Sequence, residues 1–522
     1  MKIQNSQPVK KAKKGLFHVV FSRVFILLLL IVVQLVVFAS MITFLKDYAT
    51  YIYGGFLMLG IAVVIYIINN QSASDFKLTW ILLIMATPIL GTAFYAFVKV
   101  QPGSKYLEKR LTELERASES YLVQQKDVLE EIRLSKPANA NLVSYLNNKI
   151  SFPMYRNTAI TYFTLGEEFF VELKKQLRSA KEYIFMEYFI IEQGMMWDEL
   201  LEILKEKVAQ NVEVRVMYDG MCSMAILPYR YDKELQKLGI KCKQFSKIRP
   251  VLSSYQNNRD HRKICVIDGE VGFTGGINLA DEYINQREKF GHWKDTAVML
   301  EGEAVQSFTM MFLQMWNISE RIPETYERYL SSKREDVKRE WGYVLPYGDS
   351  PYDKRNVGEQ VYLHILNHAK KYVHIMSPYL IIGEDLMSAL IYAAECGIEV
   401  KIIMPHIPDK WYAYVLAKTY YKRLLESGVQ IYEYTPGFVH AKVFVSDNDT
   451  ATVGTINLDY RSLYHHFECG TFIYNNPVVW NIEKDFQKTL HKSQEITLKD
   501  LKKQNVLEKI CGHVLRLIAP LM

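Results

Sequence analysis

One eight-residue pattern occurs twice in this 522-residue chain, and its repetition constrains the fold more than any other feature. Residues His261–Asp268 read HRKICVID, and residues His440–Asp447 read HAKVFVSD. Each copy is followed at the same spacing by a similar segment, GGINL from Gly275 and GTINL from Gly454. Because the two stretches match without a gap, we predict an internal duplication in which two similar halves fold alike.

The sequence upstream of each motif predicts the architecture of the halves. In both, a β-branched and aromatic run precedes a helical pattern, which leads into a second β-branched run. These segments are 183–191, 196–209 and 212–217 in the first half, and 372–382, 385–394 and 398–403 in the second. Strand, helix and strand in that order is typical of a βαβ unit. We therefore predict an α/β fold with two pseudo-twofold-related repeats, 151–338 and 339–522, each a mixed sheet flanked by helices.

Three apolar runs occupy the first hundred residues, at 24–44, 52–68 and 78–98. A helix needs about 20 apolar residues to cross the hydrocarbon layer, and the first and third runs satisfy this length. The first run is also too long for the core of a cleaved signal peptide. We therefore predict that residues 1–100 form an α-helical membrane anchor with two or three transmembrane helices. Basic residues flank both ends of the region, so the topology stays open.

Two further segments are predicted to be helical. Residues 101–150 are expected to link the anchor to the repeats, and Tyr106 to Ile132, which is charged and rich in helix formers, is predicted to be an exposed helix. At the C-terminus, Val506–Ile518 places its apolar residues on one helical face. This helix either packs on the domain core, which we favour, or lies in the membrane interface.

Composition excludes little. The net charge of +6 is compatible with anionic lipid or phosphate but is too small to indicate a partner. The six cysteines include no CxxC pair, so neither a zinc site nor a redox motif is indicated.

The two motifs carry the residue types that phosphoryl transfer requires. On a strand, positions i and i+2 point to the same face, so the histidine and lysine of each motif can converge on one point. If the halves pack face to face, two imidazoles and two ammonium groups meet in one cleft. Lysines can stabilise the phosphate oxygens, while one histidine attacks phosphorus and the other protonates the leaving oxygen. The candidate catalytic residues are His261, Lys263, Asp268, His440, Lys442 and Asp447.

The aspartates have an alternative, structural interpretation, because position i+7 of a strand faces away from i and i+2 unless the strand ends first.

The motifs resemble those of the phospholipase D superfamily, and longer stretches resemble the bacterial cardiolipin synthases in particular. These stretches are Trp80–Gly91, Asp260–Gly269, Gly437–Lys442 and Gly454–Ser462. The resemblance implies transfer of a phosphatidyl group from one phosphatidylglycerol to another, with release of glycerol, through a phosphatidyl-histidine. It also implies a multi-pass protein of the bacterial cell membrane that needs no metal or other cofactor. Its partners would be phosphatidylglycerol and cardiolipin, and not nucleic acid; the oligomeric state is left open.

By the same resemblance, Asn278 and Asn457 are expected to bind phosphate oxygens. Asp295 and Glu468, which each follow a motif histidine at a similar spacing, are expected to orient an imidazole. We expect His261 to be the nucleophile and His440 to act first as the acid and then as the base, although the near-symmetry of the halves leaves the reverse assignment open.

Four alternatives remain: a hydrolase that uses water in place of the second lipid, a phosphatidylserine synthase, a nuclease of the same superfamily, and a lipid-binding scaffold without activity. The apolar N-terminal region argues against the nuclease, since a membrane enzyme of modest charge is poorly placed to bind nucleic acid. Two intact motifs argue against the scaffold.

Overall fold

A computed structural model describes most of the chain. The described residues are 48–71, 73–99, 102–221, 226–246, 258–330, 340–353 and 355–521, together with Val32, Val36 and Ser40. The chain divides into two compact units, a helical unit within residues 1–104 and a larger unit that begins at Lys105 and contains both repeats.

The helical unit differs from its prediction in one respect. The first apolar run, 24–44, lies outside the described residues apart from the three named above. The second run corresponds to α1 (Ala49–Ile68), but the third is divided into α2 (Ser74–Ala86) and α3 (Pro88–Lys99). Proline disfavours the α conformation in the residue before it, and Thr87 accordingly has φ −141° and ψ 73°. No helix in the described part of the chain combines the length and the apolar character needed to cross a membrane.

The segment after the helical unit is not the single exposed helix that its charge predicted. It contains α4 (Pro102–Ser118), α5 (Lys126–Ser135) and α6 (Pro137–Ile150). Charged side chains lie on the exposed side of these helices, and apolar side chains of the opposite side are buried. The buried apolar residues of α4 and α5 are Leu107, Leu111, Leu114, Val128 and Ile132. The segment therefore packs as part of the larger unit, and Lys136 forms an ion pair with Asp449 of the second repeat at 3.0 Å.

The first repeat is a seven-stranded mixed sheet with helices packed against it. Its elements in chain order are β1 (Ala159–Phe163), α7 (Gly166–Ser179), β2 (Tyr183–Tyr188), α8 (Met195–Ala209), β3 (Glu213–Asp219), α9 (Tyr231–Lys237), β4 (Lys241–Phe245), β5 (Arg259–Asp260), β6 (Lys263–Ile267), β7 (Val271–Gly275), β8 (His292–Lys294), β9 (Ala297–Glu301) and α10 (Val305–Asn317). In the sheet, the strands run in the order β1-β9-β7-β6-β2-β3-β4, with β2, β3 and β4 parallel to one another.

The second repeat has the same strand order, β10-β19-β17-β16-β11-β13-β14, and adds β20 at one edge. Its elements are β10 (Tyr343–Asp349), α11 (Val357–His368), β11 (Tyr372–Met376), β12 (Leu380–Ile381), α12 (Glu384–Glu395), β13 (Glu399–Pro405), α13 (Trp411–Glu426), β14 (Gln430–Tyr434), β15 (Gly437–Val439), β16 (Val443–Ser446), β17 (Thr450–Gly454), β18 (Leu458–Asp459), α14 (Tyr460–Tyr464), β19 (His466–Tyr474), α15 (Val478–Leu490), β20 (Ser493–Ile496), α16 (Leu498–Lys503) and α17 (Val506–Ile518). The α/β fold with two repeats is thus confirmed. The predicted boundary between residues 338 and 339 lies outside the described residues.

Two short strands join the repeats. The strand β5, which comes just before the first motif, pairs in parallel with the start of β19 in the second repeat. Correspondingly, β15 comes just before the second motif and pairs in parallel with β8 of the first repeat. Each motif is therefore held against a strand of the other repeat, and this exchange forms the site described next.

Candidate active site

The exchanged strands fix the backbone of both motif histidines. The N–H of His261 donates to the carbonyl of Phe467 at 2.9 Å, and the N–H of His440 donates to the carbonyl of Lys294 at 2.7 Å. Soon after each histidine, the backbone enters a central strand of the sheet in the same repeat, β6 after His261 and β16 after His440. Each histidine thus lies at a junction between the two repeats.

The expected orienting carboxylates act across the repeats. The Nδ1 of His261 lies 2.9 Å from Oε1 and 3.0 Å from Oε2 of Glu468, which is in the second repeat. The Nδ1 of His440 lies 2.7 Å from Oδ2 of Asp295, which is in the first. Both carboxylates are fully buried. A carboxylate bound at Nδ1 fixes the ring orientation and leaves Nε2 for substrate.

The motif lysines lie beside the histidines. The Nζ of Lys263 donates to the carbonyl of His261 at 2.5 Å, and Lys442 makes the same contact with the carbonyl of His440. An ammonium group has three donors, so each lysine retains two for another ligand. Burial lowers the pKa of Lys263 to about 8 and that of Lys442 to about 7.

The two motifs share one electrostatic environment. Burial lowers the pKa of His261 well below its usual value, and the charges of Lys263, Lys442 and His440 lower it further. The pKa of His440 is likewise lowered well below its usual value by burial and then by Lys442 and Lys263. Four basic side chains therefore converge in a buried site, which favours an anionic ligand such as a phosphodiester.

The site does not include Asp268 and Asp447. Each follows the end of its strand in a left-handed conformation, with φ of 52° and 54°. The carboxylate of Asp268 accepts three backbone N–H groups, and that of Asp447 accepts three at the matching place. The donors are Lys181, Glu182 and Tyr183 for Asp268, and Lys370, Lys371 and Tyr372 for Asp447. Both residues hold the loop before a central strand, as their structural interpretation anticipated.

The two asparagines differ in their contacts. Asn278 is bound on both sides, since its Oδ1 accepts the N–H of Ile190 at 3.0 Å and its Nδ2 donates to the hydroxyl of Tyr283 at 2.7 Å. The buried Oδ1 of Asn457 has no hydrogen-bond partner among the described residues. Only Asn457 therefore has an unused side-chain acceptor.

Sequence reasoning missed a lysine, a tyrosine and an aspartate that border the site. The charge of Lys410 contributes to the lowered pKa of both His261 and His440, after burial and the motif lysines. Its Nζ lies 3.2 Å from the hydroxyl of Tyr379, which donates to Asp409 at 2.6 Å. Asp409 and Lys410 follow β13, a parallel strand. Ligands tend to bind at the carboxyl ends of parallel strands, and that rule could have identified this loop.

A third histidine was also missed. The ring of His466 lies 5.5 Å from that of His261, and its Nδ1 lies 3.7 Å from Oε1 of Glu468, within ion-pair range but too far for a hydrogen bond. His261, His466 and Glu468 each place one potential metal-ligating atom within 4.8 Å of the others. However, the nearby charge of Lys263 disfavours a divalent cation, and the carboxylate of Glu468 is already bound to His261. The arrangement fits a histidine–carboxylate pair better than a metal site.

The sequence of the chain is similar to those of known families and proteins. The family described as "Cardiolipin synthase, PLD-like domain" matches residues 173–316 and 362–490, and that described as "Phospholipase_D-nuclease N-terminal" matches residues 58–99. An "Uncharacterized protein" of Streptococcus mutans is 51% identical over 462 residues, which are 88% of this chain and all of that protein. A cardiolipin synthase of Halalkalibacterium halodurans is 33% identical over 472 residues, 88% of this chain and 92% of the relative.

Among solved structures, a phosphatidylserine synthase of Haemophilus influenzae matches with a TM-score of 0.55 at 17% identity, covering 74% of this chain and 97% of that one. At that identity the likeness shows the fold alone.

Proposed function

Since the chain belongs to the cardiolipin synthase family, with a phospholipase D-like domain in each repeat, we propose that it is a phosphatidyltransferase that makes cardiolipin from two molecules of phosphatidylglycerol. One observation carries the proposal. The two histidine–carboxylate pairs, His261 with Glu468 and His440 with Asp295, are each built from both repeats and lie among shared lysines. This arrangement supports a reaction with one nucleophile and one acid–base at a single phosphorus.

In the first step, Nε2 of His261 attacks the phosphorus of one phosphatidylglycerol. The P–O bond to the head-group glycerol breaks. His440, whose imidazolium form is favoured by the bound anionic phosphodiester and the Asp295 carboxylate, gives its proton to the leaving oxygen. The products of this step are free glycerol and a phosphatidyl group bound to His261.

In the second step, His440 removes a proton from the head-group hydroxyl of a second phosphatidylglycerol. The hydroxyl oxygen attacks phosphorus, and the P–N bond to His261 breaks. The product is cardiolipin, and both imidazoles return to their starting states. Lys263 and Lys442 stabilise the charge on the non-bridging oxygens throughout, because a dry, positive site strengthens that interaction. We assign a supporting phosphate contact to Asn457 and, through its second amide hydrogen, to Asn278.

The direct test is to incubate the purified full-length protein with phosphatidylglycerol vesicles and to identify the products by mass spectrometry. We expect cardiolipin and free glycerol. Phosphatidic acid without cardiolipin would instead identify a hydrolase. Phosphatidylserine formed from a nucleotide-activated lipid and serine would identify the second phosphatidyltransferase activity considered above.

The variants His261→Ala and His440→Ala should each reduce transfer by at least about 10³-fold, since each removes a group that takes part in bond making or proton transfer. His491→Ala, which changes an exposed histidine at the end of α15, is the matched control. A motif variant as active as that control would contradict the two-histidine mechanism.

The assignment of the nucleophile has its own experiment. In His440→Asn the acid–base is absent while the nucleophile is intact, so a phosphatidyl ester of a nitrophenol, whose leaving group needs no proton, should leave a phosphatidyl adduct on the peptide that contains His261. An adduct on His440 in His261→Asn, and none in the first variant, would reverse the two roles.

We further propose that residues 1–100 hold the protein in the bacterial cell membrane as a multi-pass anchor. The apolar runs of the sequence and the lipid nature of the substrate support this location. The full-length protein should stay with the membrane fraction after alkaline carbonate extraction; release into the supernatant would contradict the proposal.

A further inference from the structure

The last helix, α17, exposes an apolar face. It begins after Asn505, whose side-chain oxygen accepts the N–H of Leu507 at 2.8 Å, and it runs to Ile518. Apolar residues recur every three or four positions along one side of the helix, and they are between 45% and 74% exposed. They are Val506, Leu507, Ile510, Val514, Leu517 and Ile518, and together they are called the α17 face.

The opposite side of the helix is fixed to α13. A Cβ on Gly512 would lie 2.8 Å from Cγ2 of Thr419 and 2.9 Å from the carbonyl oxygen of Val415, so only glycine allows this close approach. The guanidinium of Arg516 lies 4.6 Å from the ring centroid of Tyr420. The two helices therefore pack closely along their length, and the α17 face lies on the side of the helix that α13 does not cover. We predicted from the sequence that this helix packs on the domain core, and that packing covers only one of its sides.

The packing also connects α17 with the active site. Near its start, the charge of Glu508 acts on Tyr414 of α13, whose pKa is raised mainly by burial. Tyr414 lines a recess together with Tyr379, Lys410 and Phe438. The ring of Phe438 lies 5.8 Å from that of His440. The start of α17 is therefore linked to one of the two motif histidines through the neighbouring side chains that line this recess.

The surroundings of the α17 face match an anionic lipid surface. Two large aromatic side chains, Trp411 and Tyr412, are exposed at the start of α13, next to Lys410 of the recess. Aromatic residues of this kind are favoured at the boundary between lipid and water. The segment 498–518 also carries five basic and two acidic side chains. An apolar stripe flanked by lysines binds membranes through burial and through attraction to anionic head groups.

We propose that the α17 face, together with Trp411 and Tyr412, lies in the head-group layer of a membrane rich in anionic phospholipid and brings lipid substrate to the side of the protein where Lys410 borders the active site. The inference rests on the proposed function for its account of which lipid is delivered. The contact with the membrane itself is independent of catalysis. A second copy of the chain fits this surface less well, because self-pairing would bring the basic side chains of α16 and α17 together.

The first experiment locates the surface without measuring activity. An environment-sensitive fluorophore is attached at Val514→Cys in a cysteine-free background of the full-length protein, which is reconstituted in phosphatidylglycerol–phosphatidylcholine vesicles. We expect a blue-shifted emission and strong quenching by spin-labelled lipids, both weaker in vesicles of phosphatidylcholine alone. The control is Val171→Cys on α7, a valine of similar exposure (65% against 57%) on the first repeat, which should show neither effect.

Equal responses at the two positions would overturn the proposal. So would a probe at Val514 that is shielded in detergent without lipid while the protein is dimeric, because that result would assign the α17 face to a second copy of the chain.

The second experiment separates lipid contact from chemistry. The double variant Ile510→Ser/Val514→Ser should lower turnover of phosphatidylglycerol in vesicles several-fold. It should leave turnover of a short-chain phosphatidylglycerol below its critical micelle concentration unchanged. An equal loss on both substrates, or no loss on vesicles, would contradict the proposal. If the unaltered protein turned over neither substrate while the Val514 probe still reported lipid, the proposed reaction would fail and the membrane contact would stand.

Discussion

The two halves of the active site have the same backbone and different carboxylates. The segments GGINL and GTINL differ only at Gly276 and Thr455, and these two positions lie against the orienting carboxylates. A Cβ on Gly276 would lie 2.1 Å from Oδ1 of Asp295, so the aspartate needs a glycine there. In the other half, the hydroxyl of Thr455 donates to the longer side chain of Glu468. Two different residue pairs thus place a carboxylate at the same ring nitrogen.

The halves also differ at the position two residues before each carboxylate. Trp293 precedes Asp295 by two positions, as His466 precedes Glu468, and the ring of Trp293 lies 5.4 Å from that of His440. The ring of His466 lies 5.5 Å from that of His261. One half thus has an indole at this position and the other a second imidazole. A symmetric backbone with unlike surroundings suits two histidines that perform different steps on one phosphorus.

The largest effect is expected from removing the carboxylate charges. Glu468→Gln and Asp295→Asn should each lower kcat by about 10²- to 10⁴-fold, because an amide can neither hold the required tautomer nor stabilise the imidazolium. KM should change little, since neither carboxylate is positioned to contact substrate. Steady-state kinetics on phosphatidylglycerol measures both constants. If one variant kept more than half of the wild-type kcat, the corresponding half would not depend on its carboxylate and the functional comparison would fail.

The crossing of these carboxylates could not be predicted from the sequence. The family resemblance pointed to Asp295 and Glu468 as the carboxylates beside a histidine, but it suggested no partner outside the same repeat. The exchange depends on β5 and β15, which have two and three residues and therefore no hydrophobic period to detect. The duplication, the βαβ unit of each repeat and the motif residues were accessible because they rest on long, repeated patterns.

Two errors in the fold also have physical causes. The apolar run at 78–98 is interrupted by Pro88, and hydropathy alone does not register the break in the helix. The charge of the segment from Tyr106 to Ile132 concealed a buried apolar face that only tertiary contacts define. His466 and Lys410 carried no motif, so their place beside the histidines became visible only in three dimensions.

The second prediction concerns the position that differs between the halves. Gly276→Ala should lower kcat by roughly 10²-fold, because the new methyl group must displace the Asp295 carboxylate by an ångström or more. Thr455→Ala removes one hydrogen bond to Glu468 without a clash, so a smaller loss, about 10-fold, is expected. Kinetics of both variants beside their melting temperatures would separate misplacement from unfolding. Equal losses would mean that the two halves tolerate change alike.

The third prediction concerns the pH dependence of activity, because the two motif lysines differ in pKa. With pKa values of about 7 for Lys442 and about 8 for Lys263, the ammonium groups lose their protons as pH rises through that range. The positive charge that binds phosphate then declines, and kcat/KM, which reports the free enzyme, should fall by up to about tenfold per pH unit between pH 7 and 8 and more steeply above pH 8, where both lysines lose their protons. Lys442→Arg should keep its charge and move the lower end of this fall to higher pH, whatever its absolute rate. A profile that stays flat from pH 6.5 to 9 would contradict the assignment.

The smallest effect on activity is expected from substitution of the motif aspartates. They occupy equivalent places in the two halves, at the far end of a central strand. Asp268 follows β6 and lies seven residues beyond its histidine, roughly 23 Å along the chain at about 3.3 Å per residue. Asp268→Ala and Asp447→Ala leave three backbone N–H groups without their acceptor, and each should destabilise the fold by about 1–3 kcal/mol. Thermal unfolding should therefore shift downward by several degrees, while kcat at a temperature where the variants are folded stays within about twofold of wild type, since no reacting group moves. A tenfold drop in kcat at unchanged melting temperature would instead show that these carboxylates take part in the chemistry. A difference in melting temperature between the two variants would show that the loops before β2 and β11 contribute unequally to stability.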